Sequence, residues 1–289
     1  MYLRSLLFIP GNQPNMLAKA PSVNPDAFIP DMEDSVAIEN KSDARRIITE
    51  HLNMLSDTGK IIIPRINSLE TGLLEKDLEA MVSEQIYGIA VGKIHNIDEV
   101  NIISSTISAI EKDKGLQEGK IKLLLWMETA RAIINAYSIL TCNERIVGAG
   151  FGAEDFTNDM GIERSQSEYE VSFARNQLTI AARAAGILAL DTPFFAFKDD
   201  AALRDNCKSA KAIGFKGKFA IHPAQIDIIN SSFSPSDLEV AHAKKIIETF
   251  NKAVKLGRGS TSLDGIVIDI PVVKRAESLL RIACDLNKM

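Results

Sequence analysis

Two acidic residues, Glu128 and Asp155, each follow a short apolar run of the chain, 121–127 and 145–151 respectively. Apolar residues recur at helical spacing between the two runs, so the segment predicts a strand–helix–strand unit with two parallel strands side by side. Parallel neighbours end at the same edge, roughly 5 Å apart, which would bring the two carboxylates together. Carboxylates that close repel each other unless a proton or a cation lies between them.

A hard divalent cation such as Mg²⁺ suits this pair, because it accepts one or two carboxylates and keeps water ligands that a substrate can replace. The alternative is that both acids are helix N-caps and hold no metal. Residue type and spacing leave both interpretations open. Zinc is not expected, because the sequence has no cluster of Cys or His.

Length and composition exclude several classes of protein. The chain has 289 residues, of which 46% are apolar, and a net charge of −5, which suits a single α/β barrel. The sequence has no basic stripe for nucleic acid and no apolar run long enough for a membrane span. Its apolar start is broken by Pro10 and Gly11 too early for a signal peptide. Three scattered cysteines do not suggest a disulfide framework, so a reducing cytoplasm, or an organelle matrix, is the expected compartment.

Eight short apolar segments alternate with helical patterns along the chain. Most are apolar on both faces, as strands covered on both sides must be. The segments are 4–10, 26–32, 60–66, 88–94, 121–127, 145–151, 187–191 and 217–221. This alternation predicts an α/β protein with a (β/α)₈ TIM barrel. An open doubly wound sheet is the alternative, but it would normally carry a Gly-rich phosphate loop after its first strand, and residues 10–13 do not form one.

Residues 1–235 are predicted to form the catalytic barrel domain, and residues 236–289 a C-terminal helical extension. In the extension we expect a helix over 236–256 capped by Ser236, a flexible Gly/Ser loop over 257–262 and a final helix over 273–285. The extension would pack either on its own barrel or on a neighbouring subunit.

Polar residues that follow barrel strands are the catalytic candidates. They are Asp31, Glu33, Asp34, Arg65, Asn67, Lys93, His95, Glu128, Asp155, Asp191 and His222. Arg65 could bind a substrate carboxylate through two parallel hydrogen bonds, or could simply pair with a neighbouring acid. We interpret Lys93 as an ion-pair partner rather than a Schiff-base lysine, which would need a desolvated amine, and His222 as a structural histidine.

Short motifs spread over nearly the whole chain carry a family resemblance. They are Arg4–Gly11, Asp31–Val36 followed by Lys41 and Ala44–Arg45, Arg65–Asn67, Glu128–Arg131, Phe151–Asp155, Ile221–Pro223, Phe233–Pro235 and Ile268–Val273. In this combination the chain resembles the citrate lyase beta subunit and the malyl-CoA and citramalyl-CoA lyases of the aldolase/citrate lyase superfamily. It departs from the family pattern at Pro30, where an aliphatic residue is usual, and at Gly92, where a proline usually precedes the lysine.

The resemblance implies a barrel that binds Mg²⁺ through Glu128 and Asp155 and takes a thioester substrate. It also implies that Arg65 contacts the substrate carboxylate or carbonyl, and it assigns Gly152 and Ala153 to substrate binding. Two further acids, Glu33 and Asp34, are expected to orient Arg65 or the water ligands of the cation.

The resemblance also implies that Asp269 is contributed to a neighbouring subunit. There it would act as the acid–base group for the α-carbon of the thioester. A flexible linker over 257–262 would allow this in a closed ring of subunits, which we expect to be a homotrimer. The alternative is that Asp269 caps the final helix of its own chain.

We therefore expect a Mg²⁺-dependent carbon–carbon lyase that cleaves a 3-hydroxy-acyl thioester of the citryl-, malyl- or citramalyl-CoA type. The products would be an acyl thioester such as acetyl-CoA and a 2-oxo acid. Three alternatives remain: a citrate lyase complex subunit acting on a carrier-protein thioester, a metal-dependent pyruvate aldolase acting on free hydroxy-oxo acids, and a barrel that binds acyl-CoA without turnover.

Overall fold

The computed structural model describes residues 2–165 and 167–286. The chain forms two compact units, one comprising Leu3–Ile229 and the other Tyr2 together with the residues from Asn230 onward. The predicted division into a barrel domain of residues 1–235 and an extension of residues 236–289 stays a prediction.

The first unit is a closed barrel of parallel strands. Its strands are β1 (Ser5–Pro10), β2 (Ala27–Asp31), β3 (Ile61–Ile62), β4 (Arg65–Ile66), β5 (Gly88–Val91), β6 (Lys122–Met127), β7 (Ile146–Phe151), β8 (Leu188–Asp191) and β9 (Gly217–Ala220). The barrel closes because β1 pairs with both β2 and β9. Strands β3 and β4 occupy a single place in the barrel, since both pair with β2 and Pro64, which has no N–H, lies between them. The eight predicted segments and the predicted TIM barrel are thus confirmed.

Helices alternate with these strands. They are α1 (Pro14–Lys19), α2 (Lys41–Ser56), α3 (Leu74–Met81), α4 (Ile97–Asp113), α5 (Ala130–Ile134), α6 (Ala136–Thr141), α7 (Ala153–Met160), α8 (Tyr169–Ala185), α9 (Asp200–Ile213) and α10 (Ile226–Phe233). The sequence predicts one helix between β6 and β7, whereas the structure has two that meet at Asn135. Within the two described ranges, no helix combines the length and the apolar character that a membrane crossing requires.

The interior of the barrel is filled by apolar side chains. The cluster comprises Leu3, Leu6, Ala27, Ile29, Ile63, Ala90, Leu124, Trp126, Leu190 and Phe219. The rings of Trp126 and Phe219 stack with their centroids 4.2 Å apart, and Gly150 leaves the room that they need, since a Cβ there would lie 2.7 Å from Phe219. Because the interior is packed, ligands must bind at the ends of the barrel.

The second unit contains helix α11 (Asp237–Lys255), strands β10 (Thr261–Leu263) and β11 (Ile266–Ile268), and helix α12 (Ile270–Leu286). Ser236 caps α11 as predicted, in a capping box with Glu239. The predicted loop over 257–262 is wrong in its last two residues, which belong to β10. The final helix begins at Ile270 rather than at residue 273, where the sequence placed it.

Candidate active site

The side chains of Glu128 and Asp155 line one cavity, and the negative charge of Asp155 acts on Glu128. Glu128 directly follows β6 and is 3% exposed, and Asp155 lies in the first turn of α7 after β7. Neither acid is a helix N-cap. Thr129 caps α5 by accepting a hydrogen bond from the N–H of Ala132, and Gly152 precedes α7. The interpretation of both acids as N-caps is therefore wrong.

Two glycines leave the space that the Glu128 side chain occupies. A Cβ on Gly92 would lie 2.5 Å from Glu128 Oε1, and a Cβ on Gly152 would lie 2.6 Å from the Glu128 Cβ. The backbone N–H of Lys93 donates to Glu128 Oε1 at 2.6 Å. Lys93 has a φ of 56°, a left-handed conformation that costs a residue with a Cβ about 1–2 kcal/mol. This backbone strain at the carboxylate is typical of a functional site.

The electrostatics of the pair favour a cation. Burial, followed by the negative charges of Asp155 and Glu33, raises the pKa of Glu128 to about 8. Burial also raises the pKa of Asp155. Near neutral pH the pair therefore shares its site with a proton or a metal ion.

The donor set fits Mg²⁺. Among the residues that the structure describes, no group of three or more His, Cys, Asp or Glu side chains forms a metal cluster. A site with two carboxylates suits Mg²⁺, which binds through one or two carboxylates and retains several exchangeable ligands. Glu128 and Asp155 are the side chains that would hold the ion.

Arg65 lies in β4 and is held by three acids. Its Nε and Nη2 each donate to Asp31 at 2.7 Å. Its Nη1 lies 2.7 Å from Glu33 Oε2 and 3.2 Å from Asp34 Oδ2. Burial alone would lower the pKa of Arg65, but these acids raise it above its ordinary value, so the guanidinium stays charged.

Lys93 forms an ion pair, as we predicted from the sequence. Its Nζ lies 2.5 Å from Glu33 Oε1 and 3.5 Å from Asp34 Oδ1. Burial would lower the pKa of Lys93, but the hydrogen bond and the charge of Glu33 raise it. A protonated amine is not a nucleophile, so the arrangement does not favour a Schiff base.

Most of the predicted site residues line one cavity of about 340 Å³. Those that line it are Asp34, Arg65, Glu128, Gly152, Ala153 and Asp155, and Phe8, Trp126 and Phe195 supply apolar walls. Glu33 contacts both Arg65 and Lys93 through its carboxylate. A larger cavity of about 900 Å³ lies at the opposite end of β7 and β8, and its lining, within the described part of the chain, includes no Asp or Glu. The chemistry therefore belongs to the smaller cavity.

Asp269 belongs to the second unit. Its Oδ1 accepts a hydrogen bond from the N–H of Val272 at 3.2 Å, and its carbonyl oxygen accepts one from the N–H of Val273 at 3.0 Å. Asp269 therefore caps α12, as the alternative interpretation from the sequence predicts.

Sequence reasoning placed Asp31 among the catalytic candidates without pairing it with Arg65, and it gave no role to Phe8. Asp31 is the principal partner of Arg65, and the Arg65 guanidinium lies 4.7 Å from the centre of the Phe8 ring. The available signal was the position of Asp31 and Arg65 at the ends of adjacent strands. His222 is structural: its Nδ1 accepts from the N–H of Ala224 and its ring stacks on Phe197, with centroids 4.9 Å apart.

Comparison with known proteins gives concordant similarities. The sequence pattern of the HpcH/HpaI aldolase/citrate lyase family matches residues 4–223. Citrate lyase subunit beta of Escherichia coli (strain K12) is 35% identical over 279 residues, covering 96% of this chain and 92% of that protein. Mitochondrial citramalyl-CoA lyase of Homo sapiens is 30% identical over 299 aligned positions, covering 99% of this chain and 86% of that protein. The crystal structure of CitE from Mycobacterium tuberculosis, in complex with magnesium, acetoacetate and coenzyme A, superposes with a TM-score of 0.82 at 26% identity and covers 98% of both chains.

Proposed function

Because this chain belongs to the HpcH/HpaI aldolase/citrate lyase family, it is a carbon–carbon lyase, and we propose that it cleaves a 3-hydroxy-acyl thioester with Mg²⁺ held by Glu128 and Asp155. The products of this cleavage are an acyl thioester, such as acetyl-CoA, and a 2-oxo acid. The observation that carries the proposal is the pair formed by the buried Glu128 and the half-buried Asp155, which shares one cavity with the guanidinium of Arg65.

The size and lining of the cavity support a small, charged substrate portion. A volume of about 340 Å³ is at the lower end of the range for ligand pockets. It suits the hydroxy-acid half of the substrate and leaves the thioester carrier outside. The apolar walls limit the access of water, which strengthens the attraction between Arg65 and a substrate carboxylate or carbonyl oxygen.

The reaction breaks one carbon–carbon bond without an external reductant or oxidant. The 3-hydroxyl group loses its proton, its oxygen becomes the carbonyl oxygen of the oxo acid, and the electron pair of the broken bond passes to the α-carbon of the thioester. That carbon then takes up a proton, so the atoms balance. When bound, Mg²⁺ supplies Lewis-acid polarisation of the substrate oxygens.

The side chains of this chain divide the remaining work. Arg65 stabilises negative charge on the substrate oxygen, because its guanidinium is fixed in direction before the charge develops. Asp31, Glu33 and Asp34 orient Arg65, and Gly152 and Ala153 bring the backbone close to the substrate. Lys93 neutralises part of the acid cluster, since its ammonium group lies against Glu33.

The relatives support a thioester substrate and leave its carrier to be tested. One relative is a citrate lyase beta subunit, another is a citramalyl-CoA lyase, and the mycobacterial structure contains coenzyme A. We propose an acyl-CoA substrate, with a carrier-protein thioester as the alternative. We further propose a cytoplasmic homotrimer in which Asp269 of each chain serves a neighbouring site. The compartment is supported by Cys142, Cys207 and Cys284, which are all free thiols.

The test is product analysis by mass spectrometry. The protein is incubated with Mg²⁺ and, separately, with citryl-CoA, malyl-CoA, citramalyl-CoA, citryl carrier protein and a free hydroxy-oxo acid. We expect one CoA thioester to give an acyl-CoA and a 2-oxo acid in equal amounts. Cleavage of the carrier-protein thioester alone would establish the complex subunit, and cleavage of the free acid alone would establish the aldolase. Absence of cleavage across the panel would contradict the proposed function.

A further inference from the structure

The cavity of about 900 Å³ lies at the N-terminal end of the barrel strands, away from the site described above. Ile146, the first residue of β7, lines it, whereas Gly152, which follows β7, lines the smaller cavity. Six residue steps along a strand span roughly 20 Å. The two cavities are therefore separate sites at opposite ends of one strand.

Apolar side chains form most of the wall of this basal cavity. They include Ile146, Val147, Ile180, Ile187, Leu188 and Ile213. Tyr87 and Leu188 also pack against the apolar cluster inside the barrel, so the inner end of the cavity is continuous with the barrel core. Such walls favour an apolar ligand body over a small hydrated ion.

Two cations line the same cavity. Arg183 is in the last turn of α8 and Lys216 precedes β9. Neither forms an ion pair with any residue in the described part of the chain. Burial, followed by the positive charges of Arg183 and Lys211, lowers the pKa of Lys216. The cavity therefore has a surplus of positive charge against an apolar wall.

The helix ends at the cavity do not cancel this surplus. Helices α8 and α9 both end here, and each C-terminus contributes about half a negative charge. The two full positive charges of Arg183 and Lys216 exceed that contribution. The terminal carbonyls are also occupied, since the N–H groups of Gly186 and Gly214 bind carbonyl oxygens in the last turns of α8 and α9 respectively.

We propose that this basal cavity binds an amphiphilic monoanion, namely an alkyl carboxylate of medium chain length. The carboxylate contacts Arg183 and Lys216, and the alkyl chain lies against the isoleucine-rich wall. A small inorganic anion makes no use of the apolar wall, and an uncharged chain makes no contact with the charges of Arg183 and Lys216, which are both exposed residues of the cavity lining. The carboxylate amphiphile satisfies both features.

The test is isothermal titration calorimetry of the whole protein with octanoate. We expect saturable binding with one site per chain. An Arg183→Gln/Lys216→Gln double variant should bind octanoate about tenfold or more weakly, because it loses two charge-assisted contacts. The matched control is Lys208→Gln, which removes an exposed cation of α9 that pairs with Asp205, and its octanoate affinity should equal that of the unchanged protein.

Two further ligands test charge and apolar body separately on the unchanged protein, so this comparison does not depend on how the variants fold. Octyltrimethylammonium has the same chain and the opposite charge, and inorganic phosphate has negative charge and no chain. Binding of either as tightly as octanoate would overturn the proposal, as would absence of saturable octanoate binding. Unchanged octanoate affinity in a folded double variant would also overturn it. Circular dichroism verifies the fold, which removal of two mutually repelling cations should not weaken.

Discussion

Arg65 and Asp31 form a buried ion pair with two parallel hydrogen bonds, Nε to Oδ1 and Nη2 to Oδ2, both 2.7 Å long. The two residues lie side by side in the register of β2 and β4. Burial alone would raise the pKa of Asp31, but the Arg65 guanidinium lowers it below its usual value. Asp31 therefore remains charged and fixes the direction of the guanidinium that faces the catalytic cavity.

Replacing Asp31 by Asn should impair both catalysis and stability. An amide offers one acceptor oxygen and turns an N–H group toward Arg65, so the fork geometry is lost. Hydrogen bonds to charged groups contribute about 1.5–3 kcal/mol, so we expect kcat/KM to fall by roughly 10- to 100-fold. Breaking a buried ion pair costs about 3–5 kcal/mol of unfolding free energy, which a lower Tm would reveal.

The control for this variant is Asp43→Asn, which removes an exposed acid 3.6 Å from Arg46 and should change neither quantity. Wild-type kinetics in the Asp31→Asn variant would show that Arg65 keeps its direction without this partner.

Replacing Arg65 by Lys should be almost as damaging as replacing it by Ala. Lysine retains a positive charge but cannot make the two parallel hydrogen bonds to Asp31 while presenting a third N–H group to the cavity. The measurement is kcat/KM for the substrate that the product panel identifies. Recovery of most of the rate in the Lys variant would mean that Arg65 acts only as a point charge.

Glu128→Gln and Asp155→Asn should each abolish turnover and Mg²⁺ binding. Each change removes one of the two negative ligands that we assign to the ion. Calorimetry measures Mg²⁺ binding, and circular dichroism verifies the fold. The matched control is Glu154→Gln, one residue before Asp155 in the same turn of α7. The Glu154 carboxylate also lines the cavity, but Arg164 binds it at 2.5 Å and we assign it no contact with the ion. Undiminished turnover in both variants would refute the metal-site assignment.

Mg²⁺ binding should strengthen as pH rises. The pKa of Glu128 is raised from its ordinary 4.5 to about 8, so below pH 8 an ion must displace a proton to bind. Without metal, Glu128 in the folded protein keeps its proton between pH 4.5 and about 8, whereas Glu128 in the unfolded chain has lost it. The stability that this raised pKa contributes is therefore present at low pH and is lost as pH rises through about 8.

The measurement is Tm with and without Mg²⁺ at a series of pH values. The increase in Tm on adding Mg²⁺ should be small near about pH 6 and should grow toward pH 8, and the dissociation constant should fall by about tenfold per pH unit for one displaced proton. The Glu128→Gln variant should show no Mg²⁺-induced increase at any pH. A pH-independent dissociation constant in the unchanged protein would show that Glu128 is not the titrating ligand.

The parts of the fold that the sequence predicts are those governed by periodic burial. The barrel follows from apolar runs that repeat, and the meeting of Glu128 with Asp155 follows from placing two such runs in parallel. The break at Asn135 was not predicted because the apolar spacing continues across it and therefore indicates a single helix. The turn at Asp264 and Gly265, both with positive φ, makes a hairpin within a stretch whose apolar content conceals it.

The contacts of Arg65 show a different limit. Sequence position brings several acids to one rim of the barrel but does not decide which of them the guanidinium binds. That choice depends on side-chain reach and on register, and it falls to Asp31, whose strand position matches that of Arg65. Glu33 is then left between Arg65 and Lys93, where it accepts from both cations.

Asp269 offers a test in which structural and catalytic roles can be separated. Its Oδ1 caps α12 by accepting the N–H of Val272. Asparagine is an N-cap of about equal strength, so Asp269→Asn should leave α12 and the Tm unchanged. An amide cannot exchange the proton that the α-carbon of the thioester requires. We therefore expect this variant to bind Mg²⁺ normally and to be nearly inactive.

Complementation then shows which chain Asp269 serves. Asp269→Asn and Glu128→Gln protomers are each inactive alone, for different reasons. If each extension serves a neighbouring barrel of a closed oligomer, mixing the two under conditions that allow subunit exchange creates some sites with an intact metal pair and an intact Asp269. Part of the activity should then return, in proportion to the mixed oligomers counted by native mass spectrometry. Proven exchange without recovered activity would mean that Asp269 acts only within its own chain.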